Sequence, residues 1–396
     1  MQNLQAYDIS EDRGFLCKFD ADQVDLPAEL AEIRSIALSM PSLLPSGRVR
    51  TLLEAQLPEI DPETAFQSCG DAALRLMMVH YSFMVQAYVW GEQASPEALP
   101  RCLSVPVTAL ADRLGQLPLL PYSGYVLDNW SELERGNGIT LENTRMIQHF
   151  LGGQDEAWFV LIHVAIEAKA GGALTRMPKV IEAVRSEDEG TVEILLKEIA
   201  EVWAEINAIF DRMPERCDPY IYFERVRPYI HGWKDNPALP NGLRYEGVER
   251  FGSVGQAFRG QTGSQSSIVP AMDALLGVGH AHDPMKAYLD ELHIYRPPAH
   301  RRFIADVRSE SGLRAFVERC GTPSLAETYN ANIQAVADFR SRHLEYAASY
   351  INRQSRVAVG NDTEVGTGGT PFMRYLKKHR DETNERLLPV VKRQSA

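Results

Sequence analysis

The strongest chemical signal lies between Tyr329 and Tyr350, where Tyr329, Ile333, Val336, Arg340, His343, Ala347 and Tyr350 share one face at helical spacing. That face is apolar except for Arg340 and His343, which stand three residues apart and so point the same way. A buried imidazole beside a buried guanidinium needs partners, because an unpaired polar group inside a protein costs several kcal/mol. One arrangement satisfies both: His343 ligates an iron through a neutral ring nitrogen, and Arg340 pairs with an anionic group at the edge of a cofactor. Haem offers both parts, an axial site and two propionates. A core histidine bonded to a backbone carbonyl fits the same pattern.

Other residues carry two readings each. His163 sits with Phe159, Ile166 and Ala170 on the apolar stripe of a helix expected over 156–170. It is a satisfied core histidine or, over a haem, a neutral imidazole on the open face of the iron. Arg227, near Tyr222 and Phe223, is a surface charge or a fork for a substrate carboxylate beside aromatic rings that pack on a planar group. Asp273 interrupts the apolar run 268–278 either as a packing oddity or as the buried partner of Arg340. His280-Ala-His282-Asp283 has metal-ligand residue types, but two histidines in a turn without a further ligand nearby fit solvent exposure better. His80, inside the almost wholly apolar run 73–90, reads as a core or interface histidine. Gly366-Thr-Gly-Gly-Thr370 has no strand before it, so it reads as a mobile lid rather than a phosphate cradle. Walker, His-Glu-x-x-His, nucleophile-elbow and Gly-x-Gly-x-x-Gly sequences are absent.

The elements that must position these residues are helices. Helical spacing predicts segments from Ala28 to about Leu38, stopped by Pro41, and over 52–57, 73–90, 107–114, 141–150, 156–170, 191–213, 220–230, 268–278, 286–294, 298–307 and 372–388. Asp155 is placed to cap the helix that follows it. Residues 1–24 read as a polar, extended arm, and the proline-rich 91–121 as a connection. Alternating strand patterns are almost missing, so the fold class is all-α. The expected division is a small helical N-terminal domain with its connecting segment over 1–118 and a large helical domain over 119–396.

The 396 residues suffice for such a pair, and a 44% hydrophobic, 24% charged composition is that of an ordinary globular chain. A net charge of -12 argues against nucleic acid held by phosphate contacts. The N-terminal residues lack the basic and apolar regions of a signal peptide, and no stretch approaches ~20 uninterrupted apolar residues, so no membrane partner is expected. Cysteines 17, 69, 102, 217 and 320 are odd in number and widely spaced, which fits a reducing cytoplasm rather than a disulfide framework.

Several longer runs together resemble the indoleamine 2,3-dioxygenases over roughly residues 118 to 390. They are Phe339-Arg-Ser-Arg-His343-Leu, Tyr295-Arg-Pro-Pro-Ala-His-Arg-Arg-Phe303, His231-Gly-Trp-Lys-Asp-Asn-Pro237 with Gly242-Leu-Arg-Tyr-Glu-Gly247, Gln265 to Gly277, and Gly366 to Thr370. The resemblance implies an all-α fold with a b-type haem (heme b) between two helical domains. It also implies the conversion of L-tryptophan and O2 to N-formylkynurenine, by a monomer or small homo-oligomer. By position His343 resembles the family's iron ligand and Arg340 its propionate partner, with Asp273 behind it. Tyr222, Phe223 and Arg227 match the aromatic pair and carboxylate-binding arginine; Tyr122, Val126 and Phe159 match the wall of the indole pocket. Thr367 matches a loop residue that closes over substrate.

Two departures stand out. The family's Gly-Gly-Ser-Ala-Gly-Gln-Ser-Ser loop is here Gly260-Gln-Thr-Gly-Ser-Gln-Ser-Ser267; the resemblance implies that Gln261 and Thr262 lie near substrate and Gly263 and Ser264 near the haem edge. His163 stands where the mammalian enzymes carry a small hydroxyl residue, whereas the related tryptophan 2,3-dioxygenases use a histidine there to contact the indole N–H. Two further readings stay open beside tryptophan oxidation: a haem enzyme of secondary metabolism acting on a modified indole, and a haem or oxygen sensor without turnover.

Overall fold

The computed structural model describes residues 1–280, 284–354 and 372–390. Among these, helix dominates, and the only ladders are a parallel pair, Ala98–Leu99 with Arg244–Tyr245, and an antiparallel pair, Trp130–Glu132 with Thr144–Met146. The site rests on a stack of long helices. Gln154–Arg185 packs along Glu189–Asp211, which packs along Pro323–Ala347, which in turn carries Phe372–Asn384. Asp188 starts the second of these by accepting the Thr191 amide at 3.0 Å, an N-cap in the ordinary sense. Gln154–Arg185 is long and apolar enough, by length and hydropathy alone, to cross a bilayer. Here Glu189–Asp211, Ile268–Leu276 and Pro298–Glu310 all pack on it, and its interior residues join the common core.

The N-terminal part is built on Asp71–Trp90, which is buried nearly all round between Ala28–Leu38 and Arg101–Leu114. His80 in it bonds the Gln148 side chain through Nδ1 at 2.8 Å, a core histidine as its surroundings suggest, although its Nε2 has no hydrogen-bond partner among the described residues. Burial holds that imidazole down to about 4.

Four local expectations are corrected. Residues 1–24 are no polar arm: Tyr7, Ile9, Phe15, Leu16 and Cys17 are buried, and the Tyr7 hydroxyl donates to Asp306 at 2.5 Å. Gly171 lets this segment lie against the Gln154–Arg185 helix, because a Cβ there would collide with the Ser10 and Glu11 carbonyls. The helix expected over 141–150 is instead a strand, Thr144–Met146, since tertiary pairing with Trp130–Glu132 overrides a weak local pattern. The helix expected over 107–114 in the proline-rich stretch is present but begins earlier, at Arg101, and accommodates Pro106 in its second turn. Asp155 does not cap: its Oδ1 accepts the Asp218 amide at 2.7 Å. The Glu156 carboxylate ties the preceding loop, accepting amides of Phe150, Leu151 and Gly152 at 2.6, 3.1 and 2.7 Å.

Candidate functional site

The Pro323–Ala347 helix does turn Arg340 and His343 inward, and both reach one cavity of about 670 Å3. Tyr122, Phe159, His163, Tyr222, Thr262, Gly263, Ser264 and Asp273 reach the same cavity. Val126, Phe223 and Arg227 are buried in the turns that carry Tyr122 and Tyr222 but do not form its wall. Thr367 and the rest of the 366–370 run, like His282 and Asp283, lie outside the described residues.

Two aromatic groups shape the space, one around each histidine. Phe159 packs on His163 at 4.8 Å between ring centroids and on Tyr222 at 4.7 Å, with Tyr122 edge-on to His163 at 6.3 Å. Around His343, Phe210 stacks on Phe339 at 4.8 Å and meets the imidazole at 6.3 Å, while Trp203 meets Phe339 edge-on. Tyr222 meets Tyr350, which meets Tyr346 and through it Phe210, so the two groups are joined. Burial lowers the His343 pKa to about 4, helped by the neighbouring His163, and burial lowers His163 as well. Both are therefore neutral at pH 7, the form in which an imidazole ligates a metal or accepts a proton. His163 Nδ1 lies 2.7 Å from the Phe159 carbonyl, which fixes the proton on Nδ1 and leaves the Nε2 lone pair facing the cavity. The His343 ring makes no hydrogen bond among the described residues.

At the edge, Arg340 and Asp273 form the buried pair expected from their patterns, Nη2 to Oδ2 at 2.6 Å with 8% of each side chain exposed. Burial alone would raise the Asp273 pKa, but Arg340 and His280 outweigh it and hold the carboxyl down to about 2. Arg340 also donates to the Thr383 hydroxyl from the last described helix. His280 is no solvent-exposed turn histidine: its Nδ1 is 2.5 Å from Glu382 and its Nε2 3.5 Å from Asp273.

Three π-helical turns line this region, Ser123–Leu127, Tyr222–Val226 and Ala348–Asn352, each closed by an i→i+5 bond. Such turns re-aim side chains relative to an α-helix and cluster at functional sites. Here they place Tyr122, Tyr222 and Tyr350 on the cavity. The 260–267 loop is fixed from three sides. Gln265 accepts the Tyr122 amide at 3.0 Å and donates to the Gly260 carbonyl at 3.0 Å. Arg296 donates to the Ser264 and Ser266 carbonyls at 2.7 and 3.1 Å. Gly232, in the His-Gly-Trp motif, permits close approach, since a Cβ there would strike the Gly260 amide.

Glu167 is the residue with the largest consequence that sequence reasoning passed over. It is fully buried one turn beyond His163, and its Oε1 accepts the Tyr122 hydroxyl at 2.9 Å and the Ser266 hydroxyl at 2.8 Å. Its Oε2 has no hydrogen-bond partner among the described residues. Burial, only partly offset by the two hydroxyls, raises its pKa to about 7. The signal was available: His163 and Glu167 are four apart on one apolar face. A carboxyl with an ordinary value of 4.5 that rises to about 7 on folding binds its proton more tightly in the folded state. Its contribution is therefore full below pH ~4.5 and is lost as the pH climbs to ~7, a change of about 3 kcal/mol. Glu167→Gln keeps the acceptor and removes the titration. Urea unfolding at several pH values should show the variant gaining on the parent by about this amount between pH 4.5 and 7.5. A pH-independent difference would rule the titration out.

A family model for indoleamine 2,3-dioxygenase matches residues 3–386, further toward the N-terminus than the recognised motifs reach. The chain is 33% identical to indoleamine 2,3-dioxygenase 1 of Rattus norvegicus over 97% of this chain and 96% of the relative. It is 30% identical to the indoleamine 2,3-dioxygenase of Saccharomyces cerevisiae, over 96% and 92%. It is 29% identical to indoleamine 2,3-dioxygenase nanC of Aspergillus nanangensis, over 96% of each. The chain therefore belongs to the indoleamine 2,3-dioxygenase family, and with it to the haem dioxygenases, a class of oxidoreductases.

Proposed function

We propose that this protein uses a b-type haem and O2 to convert L-tryptophan to N-formylkynurenine. The observation that carries the reading is a single cavity holding two neutral histidines, each set among aromatic rings, with a buried Arg340–Asp273 pair at the edge. These residues fit a haem. His343 offers a neutral ring nitrogen with no hydrogen bond among the described residues, Phe210 and Phe339 offer apolar contact for a macrocycle, and Arg340 offers charge to its carboxylates. When bound, the haem supplies the activation of O2 for insertion across the indole C2–C3 bond.

The chain's own residues position the substrate. His163 Nε2, held as an acceptor by the Phe159 carbonyl, takes the indole N–H, so it orients the ring and removes no proton. Phe159, Tyr222 and Tyr122 hold the ring plane. Arg227, buried beside Phe223 with its guanidinium 5.5 Å from that ring, takes the carboxylate by turning its long side chain toward the cavity. A second reading, oxidation of a modified indole, is favoured by Gln261 and Thr262, which line the cavity within the altered loop.

The test is the haem-loaded protein, reduced under air, given L-tryptophan or its N1-methyl analogue. The expected result is N-formylkynurenine from L-tryptophan and roughly tenfold weaker binding of the analogue, which lacks the donated N–H. Inert tryptophan with turnover of substituted indoles would favour the second reading. A protein that takes up no haem would overturn the cofactor assignment.

A further inference from the structure

We propose that His280, His379 and Glu382 form a binding site for a divalent transition-metal ion of the zinc class, at the edge of the same cavity as His343 but made of other side chains. His379 and Glu382 lie three apart on the Phe372–Asn384 helix and so share a face. His280 reaches them from the segment after Ile268–Leu276, and one potential ligand atom from each of the three lies within 4.8 Å of the others. The two imidazoles pack with centroids 4.2 Å apart and planes tilted by 34°.

Packing alone leaves this arrangement unexplained. His379 is only 8% exposed, and its Nε2 has no hydrogen-bond partner among the described residues. A buried nitrogen left so costs about 1–3 kcal/mol. The unpartnered Nε2 belongs to a ring that packs on His280 and sits one turn from Glu382, so it lies where the other two potential ligand atoms converge. His280 is already oriented as metal-bound histidines are. Its Nε2 faces Asp273 Oδ2 at 3.5 Å, and its Nδ1 lies beside Glu382 Oε2 at 2.5 Å. A metal ion held by Nδ1 and Oε2 replaces the hydrogen bond between them. Lys378 stays on the other oxygen, Oε1, at 3.3 Å.

Two imidazoles and one carboxylate select the metal. Magnesium and calcium prefer all-oxygen shells, whereas zinc and its neighbours take nitrogen readily. Donor atoms around a tetrahedral zinc are about 3.3 Å apart, so the three side chains close by modest rotations and leave a fourth position for water. The surrounding charges, Asp273 and Glu382 against Arg340 and Lys378, cancel. Selection therefore rests on the donor atoms and not on a local field.

The experiment is a zinc titration of the chelator-treated, haem-loaded protein by calorimetry, followed by desalting and elemental analysis. The parent should retain one equivalent more than His379→Gln or Glu382→Gln, with affinity at least ~100-fold above either, and magnesium should not compete. Equal zinc in parent and variants, or none in any, overturns the site. If His379→Gln fails to fold by circular dichroism, Glu382→Gln, which preserves shape, decides alone. Because the readout is metal content, it is independent of whether tryptophan is the substrate.

Discussion

His343→Ala protein, loaded with haem and desalted, should keep almost none of it, with affinity reduced at least ~100-fold. His343 is the one imidazole on the Pro323–Ala347 helix, and burial keeps it neutral and ready to ligate. In the proposed haem site the other holds would be apolar contact with Phe210, Phe339 and Trp203 and the charge of Arg340, none of them an iron ligand. The helix itself should survive, because its core contacts run through Tyr329, Ile333, Val336 and Ala337, all buried. Far-UV circular dichroism should therefore match the parent while the haem absorption band is lost. Added imidazole should restore that band in the variant by filling the space the side chain leaves. A haem-to-protein ratio equal to the parent's would remove His343 from the iron.

The sequence signals that succeeded here are those in which a polar residue breaks an apolar helical face. Arg340 and His343 on one face and Asp273 on another announce a buried pair, because burying any one of them alone would be costly. His163 announced itself by the same logic, and Glu167, one turn on, should have. What was illegible depends on tertiary contact. The three π-helical turns that aim Tyr122, Tyr222 and Tyr350 have no residue signature, since an i→i+5 bond places no demand on side-chain type. Docking of Tyr7 and Phe15 on Asp306, His300 and Phe303 joins residues about three hundred positions apart. The Thr144–Met146 strand is too short for alternation to be read. His280 was visible as a metal-type residue, but its partners Glu382 and His379 come from another helix, so local spacing pointed to solvent instead.

Arg227→Ala should raise KM for L-tryptophan by roughly 30- to 150-fold and change kcat by no more than a few-fold, the loss of about 2–3 kcal/mol from a charge-assisted fork. The split follows from where the group acts. A carboxylate anchor grips the amino-acid end equally before and during reaction at the indole, so its loss weakens binding without raising the barrier from the bound state. Arg227→Lys should recover only part of the loss, because an ammonium cannot make two parallel bonds to one carboxylate. Arg227 is also fully buried, with its guanidinium over Phe223, so truncation removes packing as well as charge. Two readings separate these effects: haem content, which should equal the parent's, and binding of tryptamine, which lacks the carboxylate and should bind parent and variant alike. If tryptamine binding falls as far as tryptophan binding, Arg227 supports the Tyr222–Ile230 turn and does not hold the substrate. An unchanged KM for tryptophan would remove it from the site altogether.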